Sequence, residues 1–217
     1  MNFKYAVFDM DGTLIKSMDY WDEVERKVVG DMCGIDLLNG EHSKFIYRNL
    51  EEMLTRAQEI SGKTLDRKPA FEKMHLLMRE HYKSSPIQPV DGAFEYLKML
   101  KESGIKIAIA TATPFEESKP YLERSGMLEL VDCYVSTSQV GKNKYHPDVF
   151  DKAIELLGGN KEETVVFEDA LYSLETLKKN GFRYVIIDDG IRSSVITDEI
   201  KNNSEHYIHS YKELMNS

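Results

Sequence analysis

Apolar residues fall in two rhythms along the chain. Five short runs are β-rich and almost continuously apolar: KYAVFD ending at Asp9, IKIAIAT (Ile105–Thr111), CYVSTS (Cys133–Ser138), TVVFED (Thr164–Asp169) and YVIIDD (Tyr184–Asp189). Runs of this kind suit strands buried on both faces, as in a parallel sheet. Between them lie helical stretches over Phe94–Glu102, Lys119–Arg124, Val149–Leu157 and Leu171–Lys179, stopped by Gly104, Gly126, Gly158 and Gly181. Pro147 stands at the start of its helix, where a missing N–H is harmless. Strand and helix in alternation predict an α/β fold with a doubly wound, Rossmann-like parallel-sheet core. The tail HYIHSYKELMNS reads as a last strand and an amphipathic helix that close the fold.

The stretch between Leu14 and Pro89 breaks that rhythm. It holds no convincing strand and is far longer than a crossover needs. Three helical stripes run through it: Tyr20, Trp21, Val24, Val28 and Met32; then Phe45, Ile46, Leu50, Met53, Leu54 and Ala57; then Phe71, Met74, Leu77, Met78 and Tyr82. They predict an inserted all-helical cap domain over residues 17–88, its stripes forming a bundle core. Residues 1–16 and 89–217 are left as the α/β core domain.

Composition narrows the function classes. An apolar fraction of 41% and a charged fraction of 30% suit an ordinary globular protein. The net charge of −9 argues against a nucleic-acid polymer as partner, since phosphate backbones require clustered Lys and Arg. No apolar run is long enough to cross a bilayer, and NFKYAVFDMD carries no signal-peptide pattern. Cys33 and Cys133 lack metal or redox spacing and read as small hydrophobes. A cytoplasmic protein with no membrane partner, a monomer or weak homodimer, is expected.

The chemistry sits at the strand ends. Ligands of an open parallel sheet bind beyond the carboxyl ends of its strands. Those ends offer Asp9 and Asp11, Thr111 and Thr113, and Glu168 and Asp169, with Asp188 and Asp189 further out. Four carboxylates gathered at one crevice repel unless a cation joins them, and an oxygen-only set without His or Cys favours Mg²⁺. Thr111 supplies a hydroxyl, and Lys144 of KNKYHPD a charge, for a phosphate. Alternate residues of an extended segment share a side, so Asp9 and Asp11 can address one bound group. Asp9 would attack phosphorus and Asp11 would serve as acid and base. Gly12 permits the turn, and Thr13 can bond locally to fix it.

With these residues in view, DMDGT (Asp9, Asp11), IATAT (Thr111), KYHPDVF (Lys144) and VVFEDA (Glu168, Asp169) resemble the four motifs of the haloacid dehalogenase superfamily, in order. The insert resembles the helical cap of its β-phosphoglucomutase-like phosphatases. The resemblance implies a hydrolase of small phosphorylated metabolites, with Asp9 as nucleophile, Asp11 as acid and base, and Lys144 neutralising charge. Phosphate binding falls to Thr111, Ala112 and Lys144. Mg²⁺ falls to Asp9, Asp11 through its backbone carbonyl, Glu168 and Asp169. Asp11 points to phosphate rather than halide chemistry.

Departures from the pattern are local. Lys16 stands where relatives carry Asp, Ala112 follows Thr111 where they have Asn or Ser, and Tyr145 replaces the first proline of KPxPD. Ser173, Thr176 and Leu177 replace a Gly and small residues after Asp169, changes assigned to packing and loop shape. Trp21 falls at the position of a mutase cap-entry histidine, which favours a phosphatase over a β-phosphoglucomutase-like phosphomutase. A non-catalytic phospho-ligand binding module is the third reading, opposed by the intact catalytic set. None of the six histidines (His42, His75, His81, His146, His206, His209) has metal spacing. Lys44, Arg48 and Arg56 read as a solvated helix face, and Asp188 and Asp189 as turn residues with Gly190.

Overall fold

The computed structural model describes residues 2–39, 42–44, 50–188 and 196–215. The backbone divides into two compact units, Met1–Ser17 with Pro86–Ser217, and Met18–Ser85. Six strands are described: β1 (Tyr5–Phe8), β2 (Lys106–Thr111), β3 (Cys133–Ser136), β4 (Thr164–Glu168), β5 (Arg183–Ile187) and β6 (His206–Ile208). Ten α-helices accompany them. They are α1 (Met18–Cys33), α2 (Leu50–Ser61), α3 (Arg67–Ser84), α4 (Ala93–Glu102), α5 (Phe115–Arg124), α6 (Thr137–Val140), α7 (Asp148–Leu157), α8 (Leu171–Lys179), α9 (Asp198–Asn203) and α10 (Lys212–Met215).

All six strands lie in one parallel sheet of order β3-β2-β1-β4-β5-β6. Chain order reverses direction across the sheet at β1, which pairs with β2 on one side and β4 on the other. The register Phe8↔Phe167 makes Asp9 and Glu168 the next residues on neighbouring strands. Both faces are covered, which is why the strands read as continuous apolar runs. On one face Val7, Ala108, Val166 and Ile186 pack with Phe150 and Ala153 of α7 and Leu174 and Leu177 of α8. On the other, Phe8 and Phe167 stack at 4.3 Å and meet Tyr96 and Tyr211. Each fully buried side chain of this kind contributes about 1.5–3 kcal/mol.

Some elements depart from the sequence expectation. Helix α5 begins at Phe115, before the expected Lys119, and runs through Pro120, whose missing N–H leaves one helical bond unmade. The CYVSTS run stays a strand only to Ser136. There a capping box with Gln139 starts α6, which ends at Gly141 in a left-handed conformation. Helix α9 was not expected; Thr197 caps it by accepting from the Ile200 N–H. The C-terminal run forms β6 and α10 as read.

In the helical unit α1 buries Val24, Val28, Val29 and Cys33, α2 buries Met53, Leu54 and Ala57, and α3 buries Ala70, Met74, Met78 and Tyr82. The α3 stripe recurs at i+4 from Ala70, one position off Phe71, which is 38% exposed. Tyr20, Trp21 and Met32 are only half-buried, and Phe45 and Ile46 lie outside the described residues. Trp21 donates its indole N–H to the Tyr82 hydroxyl at 3.1 Å and meets His75 edge-on, so it serves packing within this unit. Among the described residues no helix is long and apolar enough to cross a membrane.

Candidate active site

The site assembles where strand order reverses, the place where an open parallel sheet leaves a crevice. Asp9 follows β1 and fixes its backbone by donating its N–H to the Phe167 carbonyl of β4 at 3.0 Å. Glu168 ends β4, and Asp169 comes next. Lys144 enters from the loop before α7 and bonds both the Asp9 carboxylate and Glu168 Oε1, the latter at 2.6 Å. Glu168 is held on every side. Its Oε1 also accepts from Ser173 Oγ at 2.7 Å, and its Oε2 accepts the N–H groups of Asp169 and Ala170 at 2.8 Å each. Those two N–H groups belong to the turn that leads into α8, so Glu168 fixes that turn while it grips Lys144.

Asp169 packs against the β1 turn. Thr13 Oγ1 donates to Asp169 Oδ1 at 2.9 Å, a partner 156 residues away rather than the local one expected from its place in DGT. Gly12 adopts φ +90°, and a Cβ there would come within 2.8 Å of the Asp169 carboxyl carbon. Glycine is therefore needed twice, for the turn and for the approach. Tyr211, fully buried, donates its hydroxyl to the Thr13 carbonyl at 3.1 Å. The C-terminal segment, read as closing the fold only, thus reaches the turn that bears Asp11.

Asp11 is gripped by two hydroxyls. Ser17 Oγ donates to Oδ1 at 2.6 Å and Thr113 Oγ1 to Oδ2 at 2.8 Å. Thr111 ends β2, buried, and its Oγ1 accepts the Thr113 N–H at 3.2 Å, which leaves the O–H to donate elsewhere. Ala112 is exposed, and the Tyr134 hydroxyl holds the Thr113 carbonyl at 2.8 Å. Motif two therefore presents a buried hydroxyl and an exposed backbone turn.

Charge balance decides what the site can hold. Asp9 (6% exposed), Glu168 (0%) and Asp169 (6%) face a single buried ammonium, Lys144 (3%). Burial pushes the Asp9 carboxyl up to about 7, with Glu168 and Asp11 adding to the rise and Lys144 opposing it. For Lys144 burial is the largest influence and works downward, but Asp9 and Glu168 outweigh it and the net shift is upward. The ammonium stays charged and is shared by Asp9 and Glu168, with the Asp169 carboxylate gathered beside them. Asp9, Glu168 and Asp169 each offer an oxygen within 4.8 Å of the others. A buried donor set made only of carboxylate oxygens fits a hard divalent cation.

Several polar positions prove different from their sequence reading. Ser173, assigned to packing, touches Glu168 directly. Asp188, taken for a turn residue, is buried and accepts the Tyr207 hydroxyl; Asp189 and Gly190 lie outside the described residues. The exposed Arg56 pairs with Glu59 at 3.0 Å, as suits a solvated face, and Lys44 is exposed; Arg48 lies outside the described residues. Thr113, named among the strand-end residues, holds Asp11, whereas Ser17 and Tyr211 gave no signal in the sequence.

Comparison with known proteins identifies the family of this chain. The model of the haloacid dehalogenase-like hydrolase family matches residues 6–187. The phosphorylated carbohydrates phosphatase of Thermotoga maritima is 28% identical over 184 residues, covering 83% of this chain and 82% of that protein. The pyrophosphatase PpaX of Halalkalibacterium halodurans is 26% identical over 200 residues, covering 88% and 86%. The crystal structure of CbbY from Rhodobacter sphaeroides in complex with phosphate superposes with a TM-score of 0.79 at 20% identity, over 98% of this chain and 96% of that one; at that identity it speaks for the fold alone. With the family model spanning β1 to β5 and the motif residues gathered at one sheet edge, the chain belongs to the haloacid dehalogenase-like hydrolases.

Proposed function

We propose that the chain is a Mg²⁺-dependent phosphatase that hydrolyses a small phosphorylated metabolite, a sugar phosphate or nucleotide, through an aspartyl-phosphate on Asp9. The observation that carries this reading is the buried contact of Lys144 with both Asp9 and Glu168, beside Asp169. A carboxylate kept beside one fixed cation, with further carboxylates gathered within reach of a metal ion, is equipped to receive a phosphoryl group.

An Asp9 oxygen attacks phosphorus and forms the new O–P bond as the bond to the leaving oxygen breaks. Asp11 gives that oxygen its proton, and the alcohol departs. Lys144, the Thr111 hydroxyl and the backbone at Ala112 meet the phosphoryl oxygens. Water then attacks phosphorus, Asp11 takes its proton, and the Asp9–phosphorus bond breaks to release orthophosphate. Asp9, Asp169 and the Asp11 backbone carbonyl would hold Mg²⁺, which when bound neutralises charge between carboxylate and phosphoryl group. Glu168, with both oxygens engaged, contributes its charge and the placement of Lys144. Two free cysteines fit a reducing cytoplasm.

The test is orthophosphate release from a panel of phosphate monoesters, with Mg²⁺ and with chelator, beside Asp9→Asn. Metal-dependent release that the variant loses is expected. Release that persists in Asp9→Asn overturns the mechanism, and isomerised product that depends on an added bisphosphate redirects the reading to a phosphomutase.

A further inference from the structure

Tyr145 directly follows Lys144, the residue whose ammonium meets Asp9. It is 56% exposed, the most exposed aromatic side chain among the described residues. Its ring lies over that of Tyr172 at 4.8 Å between centroids and 28° between planes, a stacked arrangement. Tyr172 belongs to the first turn of α8, three residues after Asp169. Burial, above all, raises its phenol pKa, with Lys144 opposing and Glu168, Asp9 and Asp169 reinforcing, so the ring borders the buried charges. One face of Tyr145 is thus occupied, while more than half of the side chain meets water.

Neighbouring Cα atoms are about 3.8 Å apart, so the exposed ring stands one residue from the group that would hold phosphate. The two rings are near-parallel, and the shape that extends such a stack is another flat ring. We propose that Tyr145, backed by Tyr172, is a stacking shelf for the leaving group, and that the preferred substrates are phosphate monoesters whose alcohol carries a flat aromatic ring, as a nucleoside does. This rests on the phosphatase reading and names its substrate class. Stacking on a phenol face tolerates any base, so the shelf selects for the presence of a ring rather than its identity.

The test compares kcat/KM for adenosine 5′-monophosphate, glucose 6-phosphate and glycerol phosphate in the wild type, Tyr145→Phe and Tyr145→Ala, with Mg²⁺. In Tyr145→Ala the ratio of the nucleotide to glycerol phosphate falls by about tenfold, the size of one base–aromatic stack, and Tyr145→Phe restores it. An equal fall for all three esters, an unchanged ratio, or a loss for glucose 6-phosphate as large as for the nucleotide overturns the shelf and leaves the phosphatase intact. If the wild type releases phosphate from none of them, the phosphatase reading fails. Calorimetric binding of adenosine 5′-monophosphate then decides the shelf: weaker binding by Tyr145→Ala supports it, and equal binding overturns it.

Discussion

Two aspartates stand buried at the carboxyl edge of the same sheet, Asp9 after β1 and Asp188 after β5. Their surroundings differ in charge. Asp188 accepts the Tyr207 hydroxyl, donates its N–H to the Ile208 carbonyl at 2.8 Å, and has the His209 ring nitrogen 3.9 Å from its carboxylate. Among the described residues Asp188 joins no group of three metal-capable side chains. Asp9 instead shares one ammonium with Glu168, beside Asp169. Burial of a single acid therefore does not mark a site; several buried acids gathered around one ammonium do.

The contrast can be broken most directly by matched substitutions. Asp9→Asn is expected to lower Mg²⁺-dependent phosphate release by about a thousandfold or more, as loss of a nucleophile does. Asp188→Asn in the same assay should stay within about twofold of the wild type. A comparable loss in both would erase the distinction. Lys144→Met is the next largest effect. It leaves buried Asp9 and Glu168 without their shared ammonium and should cost about 3–5 kcal/mol in urea unfolding with chelator present. Added Mg²⁺ should recover part of that loss, and a variant as stable as the wild type would show that the carboxylates do not depend on the ammonium.

Smaller effects sharpen the comparison. Thr13→Val removes the hydroxyl on Asp169, and the Mg²⁺ concentration that raises the melting temperature should shift upward by about tenfold, as for other partners of metal ligands. An unchanged midpoint would mean that Asp169 needs no such support. Least of all, Asp188→Asn should cost about 1 kcal/mol, the difference between a charged and a neutral acceptor for the Tyr207 hydroxyl, read as a fall of about 2–4 °C in Tm. A fall that Mg²⁺ reverses would instead tie Asp188 to the metal end of the sheet.

The fold was legible because burial on both faces leaves a mark on every strand residue, as in TVVFE of β4. Helix α5 was not, because Pro120 hides the start of a helix whose packing outweighs one missing bond. Of the site, Asp9, Lys144, Glu168 and Asp169 could be read as polar residues at strand ends or in the loops beyond. Ser17, Thr13 and Tyr211 could not, since each acts on a partner chosen by the folded backbone.

Chain order and the period of its apolar residues determined that acids would stand at the ends of β1 and β4, for a strand must carry whatever residue follows its last apolar position. Which acid would share the ammonium, which would be clasped by hydroxyls and which would rest against Gly12 was decided only by the tertiary structure. Those contacts join residues such as Asp9 and Lys144, 135 positions apart, and depend on strand order and register, which no local spacing records.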